Sequence, residues 1–307
     1  MKLYFLGTGG SWPTRERNPS SIAVSFGSWI MLLDCGEGTQ RQILSTPVSP
    51  MKIEVVLISH LHGDHFLGFP GLVQSMSLNG REKPLLLAGP RGIADSWRNA
   101  LSMCYFNPRF DIEVVEMDPG DVISYRDHRI QCIEADHSVP TLSLRIDEPP
   151  RRGRFDREEA IRLGIPEGPL WGELQRGNDI EFRTEDGVRR ISSEDVMGPE
   201  RPGLSLVYSG DTAPYKELIE FTRGCDVLIH EATYSDRFKE MADRVKHSTA
   251  SGAARIGLDA GVRYLFLVHT SPRYAEEGSF EELVNEARSV FPGAEFPSDG
   301  EVREITH

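Results

Sequence analysis

Short apolar runs separated by helical patterns recur along the whole chain. A strand that is buried on both faces reads as a continuous apolar run. Short apolar-rich runs, some continuous and some interrupted by polar residues, are our strand candidates at residues 3–6, 22–26, 30–33, 55–58, 85–88, 112–117, 129–134, 141–146, 204–208, 227–230 and 264–268. Helical patterns follow many of these runs, which is typical of a layered α/β protein.

The spacing of these runs predicts sheets of mixed direction. The first three runs follow one another closely, and a Pro119-Gly120-Asp121 turn precedes another pair, as expected for antiparallel hairpins. We therefore expect a pair of mixed sheets with helices covering their outer faces.

Between residues 149 and 203 the composition changes. This segment is rich in proline, glycine and charged residues, and the pattern predicts only a short helical piece at 158–163. We interpret it as an inserted arm. The remaining residues, 1–148 and 204–307, then form the core of the protein.

Composition limits the classes of function. The net charge of −13 argues against a protein coated in basic surface, so an anionic partner would be held locally by metals, loops or small basic patches. The four cysteines form no C-x-x-C pair, and we expect reduced, buried thiols. No apolar run of ~18 residues occurs, and we expect a cytoplasmic protein that does not bind membranes.

The stretch SHLHGDHFLG at 59–68 directly follows the apolar run at 55–58. His60 and His62 are two residues apart and can chelate one ion, while Asp64 and His65 can serve a second. Without a metal, the histidines of such a cluster would repel one another when protonated, and burying them would cost the free energy of their hydration. Imidazoles with carboxylates suit Zn²⁺, and Mn²⁺, Fe and Co²⁺ remain alternatives.

Three further polar residues lie just past predicted strands: His137, Asp211 and His269. Taken alone, a histidine past a strand, such as His137 or His269, is more often a surface or capped residue than a metal ligand. Together they supply the additional ligands that two ions need, and Asp211 has two oxygens with which to bridge ions ~3.5–4 Å apart.

Several stretches carry a family resemblance. They are LGTGGSWPT at 6–14, DCGEGTQRQ at 34–42, SHLHGDHFLG, YSGDT at 208–212, HEATY at 230–234, HSTA at 247–250 and GIPEGPL at 164–170. With them the chain resembles the metallo-β-lactamase superfamily, and within it the ribonuclease Z family of tRNA 3′-processing endonucleases.

This resemblance implies a four-layer αββα sandwich and two zinc ions per subunit. One zinc would be held by His60, His62 and His137, the other by Asp64, His65 and His269, with Asp211 bridging. It also implies a homodimer in which each arm clasps the precursor tRNA bound in the partner's active site.

The implied activity is zinc-dependent removal of the 3′ trailer from precursor tRNA, leaving a 3′-hydroxyl on the tRNA and a 5′-phosphate on the trailer. By resemblance Asp64 is the proton acceptor, although a metal-held carboxylate is a weak base and could instead orient the water. His247 begins a predicted helix capped by Ser248 or Thr249, and is our candidate for protonating the leaving oxygen. Glu231 either orients His247 or is a plain strand-end carboxylate.

Three rival functions remain at this point. One is a hydrolase of the same fold acting on a small substrate, such as a phosphodiesterase or a thioester hydrolase. The second is a di-iron oxidoreductase, which would favour a glutamate where His62 stands and would need a flavin domain. The third is an RNA-binding protein without catalytic activity.

Overall fold

The computed structural model describes residues 1–103, 105–184, 187–275 and 279–306. The chain divides into two compact units, Met1–Asp147 with Leu204–His307, and Glu148–Gly203. The second unit begins one residue before the expected arm and ends with it.

The strands and helices follow one another along the chain in alternating groups. The strands are β1 (Lys2–Gly7), β2 (Ser21–Ser25), β3 (Ile30–Leu33), β4 (Ile53–Leu57), β5 (Leu85–Pro90), β6 (Ile112–Met117), β7 (Val122–Tyr125), β8 (His128–Glu134), β9 (Leu142–Asp147), β10 (Ile180–Thr184), β11 (Gly187–Ile191), β12 (Ser205–Tyr208), β13 (Val227–Glu231), β14 (Tyr264–Val268), β15 (Ala294–Glu295) and β16 (Val302–Glu304). The helices are α1 (Thr39–Leu44), α2 (Gly63–Phe66), α3 (Gly68–Leu78), α4 (Ile93–Ser102), α5 (Arg157–Arg162), α6 (Pro169–Gln175), α7 (Lys216–Thr222), α8 (Lys239–Val245), α9 (Ala250–Ala260) and α10 (Ser279–Val290).

Two seven-stranded sheets form the larger unit. Their strand orders are β16-β1-β2-β3-β4-β5-β6 and β15-β14-β13-β12-β9-β8-β7. Strands β3 to β6 run parallel, as do β12 to β15, whereas β1 to β3 and β7 to β9 pair antiparallel. The expected mixed sheets are confirmed.

Alternate residues of each strand face different apolar layers. Val55 and Leu57 of β4 join a cluster that also contains Ile229 of the other sheet, so this cluster fills the space between the sheets. Val56 packs on the opposite face in a cluster that includes residues of α3 and α4. Leu228 packs in a third cluster with α9 and α10. The result is the four-layer αββα sandwich that the resemblance implied.

Every predicted strand coincides with an observed one, to within two residues at most ends. Some of the patterns, such as 55–58, are continuous apolar runs because both faces of those strands are covered. β7, β10, β11, β15 and β16 were not predicted. These strands are short or carry exposed polar residues. In β11, for example, only the last residue is buried.

The arm has more structure than the sequence indicated. In addition to α5 it contains α6 and the antiparallel pair β10–β11. A small apolar core of its own, which includes Ala160, Leu174, Ile180 and Ile191, holds these elements together. The prediction of a single helical piece was therefore wrong, because the exposed faces of the other elements hide the apolar pattern.

The three described cysteines, Cys35, Cys132 and Cys225, are buried and unpaired, as expected, and Cys104 lies outside the described residues. Among the helices that the structure describes, none combines the length and apolar character needed to cross a bilayer.

Candidate metal centre and active site

The candidate ligands lie just beyond the carboxyl ends of strands in both sheets. His60 follows β4, His137 follows β8, Asp211 follows β12 and His269 directly follows β14. His269 has a left-handed backbone, with φ of 58°, which is uncommon for a residue other than glycine. The remaining three ligands lie on the turn after His60 and in α2.

Four of these side chains form a first group, with ligand atoms within 4.8 Å of one another: His60, His62, His137 and Asp211. Nδ1 of His62 lies 3.0 Å from Nε2 of His60 and 3.4 Å from Nε2 of His137. Oδ2 of Asp211 lies 3.7 Å from Nε2 of His60. Three imidazole nitrogens and one carboxylate oxygen thus converge.

Asp64, His65 and His269 form a second group. Nε2 of His269 lies 3.3 Å from Oδ2 of Asp64, and Nε2 of His65 lies 3.6 Å from the same oxygen. Asp211 approaches this group as well, since its Oδ2 is 3.4 Å from Nε2 of His65 and 3.2 Å from Nε2 of His269. Asp211 is therefore shared between the two groups.

The donor set fits a pair of metal ions. Nε2 of His65 and Oδ1 of Asp211 are buried and have no hydrogen-bond partner among the described residues, which is costly unless something else satisfies them. Burial lowers the pKa of His60 well below its ordinary value, a neutral state that suits a ligand. Burial would raise the pKa of Asp211, yet His269 and His65 hold it well below its ordinary value.

A second layer of contacts holds four imidazoles through their Nδ1 atoms. Nδ1 of His65 donates to Oδ2 of Asp34 at 2.7 Å, and Nδ1 of His137 donates to the carbonyl of Lys246 at 3.1 Å. Nδ1 of His60 lies 3.0 Å from Oγ of Ser59, and Nδ1 of His269 lies 2.9 Å from Oγ1 of Thr233. With Nδ1 engaged, Nε2 of each ring is left to bind a metal.

Asp34 anchors one side of the site. It follows β3 with a left-handed φ of 55°, and it is buried. Besides His65, it accepts bonds from the amide and hydroxyl of Ser59 at 2.7 and 2.8 Å, and from the Tyr208 hydroxyl at 2.6 Å. Tyr208 belongs to the other sheet, so this carboxylate is reached from both sheets.

Glu231 anchors the other side. Its Oε1 accepts from Nδ1 of His247 at 2.7 Å, and its Oε2 accepts from the hydroxyl of Thr233 at 2.6 Å, which in turn contacts His269. Burial opposes protonation of His247, but the Glu231 carboxylate outweighs it and raises the pKa of His247 to about 9. Glu231 is thus bound to the candidate acid rather than being an isolated strand-end carboxylate. Thr249 caps α9, as expected.

The two groups open onto a cleft of about 440 Å³ lined by His62, Asp64, Asp211, His247 and His269. A loop after β1 forms one wall. In this loop the Ser11 amide donates to Oδ2 of Asp64 at 2.7 Å. Gly10 touches the His269 ring so closely that a Cβ would come within 2.5 Å of it.

Comparison with known proteins supports a family assignment. The model of the Anti-Pycsar protein Apyc1 family matches residues 1–149, and that of the beta-lactamase superfamily domain matches residues 194–270. Ribonuclease Z of Methanosarcina acetivorans is 42% identical over 95% of this chain and 93% of its own length. The chain belongs to the ribonuclease Z family. Ribonuclease Z of Methanothermobacter thermautotrophicus is also 42% identical, over 97% of this chain and 95% of its own.

The fold agrees with that of a solved tRNase Z structure. The crystal structure of the short form of human tRNase Z superposes with a TM-score of 0.70 at 21% identity, covering all of both chains. At that identity the likeness speaks for the fold. It agrees with the αββα layers described above.

The structure brings together all nine residues that sequence analysis proposed for this ribonuclease Z family site: His60, His62, Asp64, His65, His137, Asp211, Glu231, His247 and His269. Sequence reasoning missed the supporting residues Asp34, Ser59, Thr233 and Tyr208. Asp34 carried the same signal as Asp211, a carboxylate just past a strand, whereas the hydroxyl groups carried no signal of their own.

Proposed function

We propose that this chain is a metal-dependent endoribonuclease that removes the 3′ trailer from precursor tRNA, leaving a 3′-hydroxyl and a 5′-phosphate. The observation that carries the proposal is that Asp211 is shared between two ligand groups and that His247, held by Glu231, lies at the same cleft. Ribonuclease Z relatives that match nearly the whole chain support the substrate class.

The residues present would hold two zinc ions. His60, His62 and His137 would bind one, Asp64, His65 and His269 the other, and Asp211 both. When bound, such ions lower the pKa of water and neutralise negative charge on a phosphodiester. The neutral His60 and the ionised Asp211 are in the states that metal binding requires.

His247 is proposed to protonate the leaving 3′ oxygen. With its pKa at about 9, the imidazolium form predominates at neutral pH, so a proton is available without first being taken from solvent. Glu231 binds Nδ1 and orients the ring, which leaves Nε2 as the donor. Asp64, fixed by the Ser11 amide, would orient the attacking water or accept its proton.

The arm is proposed to bind tRNA, within a homodimer, where it would serve the partner's site. Among the described residues, five of the ten arginines of the arm form ion pairs with acidic residues of the same unit, as Arg151 does with Glu148. Within the described residues Arg152 and Arg154 are exposed and form no ion pair. Guanidinium groups of this kind suit contacts with a phosphate backbone.

The decisive experiment is incubation of the protein with a 3′-extended tRNA, with and without a chelator, followed by mapping of both new ends. We expect one cut at the end of the acceptor stem, giving a 3′-hydroxyl and a 5′-phosphate. Chelator should abolish the cut and added Zn²⁺ should restore it. Cleavage that persists in metal-stripped protein, or the absence of any cut, would refute the proposal.

A further inference from the structure

Trp12 differs from the other described tryptophans that belong to the same unit. Its side chain is 63% exposed, whereas Trp29 and Trp97 are buried in the apolar clusters. Within the described part of the chain, the indole of Trp12 makes no ring contact, and its Nε1 donates no hydrogen bond. A large planar apolar surface is therefore free on a segment that borders the proposed active site.

The backbone that carries Trp12 is held firmly. The Trp12 amide donates to the Gly10 carbonyl at 2.9 Å across Ser11, which has a left-handed φ of 67°. Gly10 in turn donates to the Thr270 carbonyl at 3.1 Å, and Ser11 donates to Asp64. A strained turn that is fixed from several sides places the next side chain in a defined position.

Trp12 also lies between two concave surfaces. It lines the cleft of about 440 Å³ that contains Asp64 and His247. It lines as well a second cavity of about 350 Å³, together with Thr14, Arg17 and Thr270. An RNA strand whose phosphate reaches the histidine groups would therefore bring a neighbouring base to the indole.

We propose that Trp12 is a stacking platform for the base of a nucleotide that flanks the scissile phosphate. This inference rests on the proposed function. The cut lies in a single-stranded extension, where bases are unpaired and available for stacking on aromatic side chains. Stacking tolerates any base because each has a π face, which suits an enzyme that acts on many tRNAs.

The test compares Trp12→Ala, Trp12→Phe and Leu67→Ala in steady-state cleavage of a 3′-extended tRNA. Leu67 is the matched control, because it is equally exposed, at 63%, and lines the same cleft. We expect Trp12→Ala to raise KM about tenfold to a hundredfold, with kcat less affected. Trp12→Phe should restore most of the loss, and Leu67→Ala should have little effect.

Two modified substrates identify the base. One is abasic at the last tRNA nucleotide and the other at the first trailer nucleotide. If the missing base is the one that stacks, the wild type should show the same rise in KM on the abasic substrate as Trp12→Ala shows on the intact one. Trp12→Ala itself should show no further rise in KM on that abasic substrate.

The proposal is overturned if Trp12→Ala cleaves tRNA like the wild type. It is also overturned if each abasic substrate raises KM by the same factor in the wild type and in Trp12→Ala. Equal losses in Trp12→Ala and Leu67→Ala would also contradict it. Failure of the proposed function looks different, because the wild-type protein would then leave the unmodified 3′-extended tRNA uncut.

Discussion

At the scale of single residues, the site depends on which nitrogen of each imidazole is occupied. Two chains of contacts have the same order: His60 to Ser59 to Asp34, and His269 to Thr233 to Glu231. In each, a hydroxyl group accepts from a ring and donates to a buried carboxylate. Such support orients a ligand and increases its basicity.

His247→Gln tests the proposed leaving-group acid. We expect kcat for tRNA cleavage to fall about a hundredfold or more, because the leaving 3′ oxygen is a strong base that needs a proton. Hydrolysis of bis(p-nitrophenyl) phosphate should change little, since nitrophenolate leaves without protonation. Steady-state kinetics on both substrates, with metal content measured in parallel, checks this.

His128→Gln is the control for that variant, because it removes an imidazole that packs against Phe26 and Trp29 rather than at the cleft. It should leave both rates near those of the wild type. If His247→Gln slowed the two substrates equally, His247 would act in some way other than as the acid.

The candidate ligands could be found from sequence because four of them come within three residues of the end of an apolar run, and the other three belong to the H-x-H-x-D-H motif that begins with one of these four. Asp34 occupies the same setting, yet its role in support of His65 depends on a distance across the fold. The hydroxyl groups of Ser59 and Thr233 are too common in sequences to stand out. Residue type and position therefore predicted the ligands, while the supporting contacts required coordinates.

At the scale of elements, the loop after β3 and the start of α3 pack without room for side chains. A Cβ on Gly68 would come within 1.9 Å of the Gly36 carbonyl oxygen. A Cβ on Gly36 would come within 2.3 Å of the Asp64 carbonyl oxygen. This close packing holds the turn that carries Asp64 and His65.

Gly68→Ala should therefore lower the free energy of unfolding by about 2 kcal/mol or more, because backbone must move to admit the methyl group. The matched variant is Gly71→Ala in the same helix, where the methyl group meets only the end of the Gln40 side chain. Its effect should stay within about 0.5 kcal/mol of zero. Urea unfolding of both proteins measures the difference, and equal effects would contradict the packing argument.

Elements that are buried on both faces were predictable, and elements on the surface were not. β4 and β13 are buried at every residue and contain the apolar runs 55–57 and 227–229. β10 and β11 present charged residues such as Arg189 and Arg190 to solvent, which conceals the strand. The sequence pattern reports burial more directly than it reports backbone conformation.

At the scale of the whole molecule, the first and last residues of the arm lie side by side. Arg151 and Arg201 exchange two backbone hydrogen bonds of 2.8 Å, and a Cβ on Gly203 would lie 2.4 Å from the Glu148 carbonyl oxygen. Residues 149–203 can therefore be replaced by a short glycine-serine linker with little strain on the rest of the chain.

We expect this deletion to abolish cleavage of 3′-extended tRNA while sparing hydrolysis of bis(p-nitrophenyl) phosphate, since a small substrate needs only the cleft. Both rates and the melting temperature should be measured. The Arg152→Ala, Arg154→Ala double variant is the milder companion, and should weaken tRNA binding and its salt dependence without loss of folding. Undiminished tRNA processing by the deletion would contradict the proposed role of the arm in binding tRNA.

Asp34 follows β3 of the first sheet, yet Tyr208 of the second sheet donates to the same Oδ2 atom that His65 contacts. The same carboxylate thus links the two sheets and holds His65, one of the proposed metal ligands. Metal binding and the contact between the two sheets would therefore depend on the same side chain. A substitution that weakens this contact would lower the affinity for metal before it unfolds the protein.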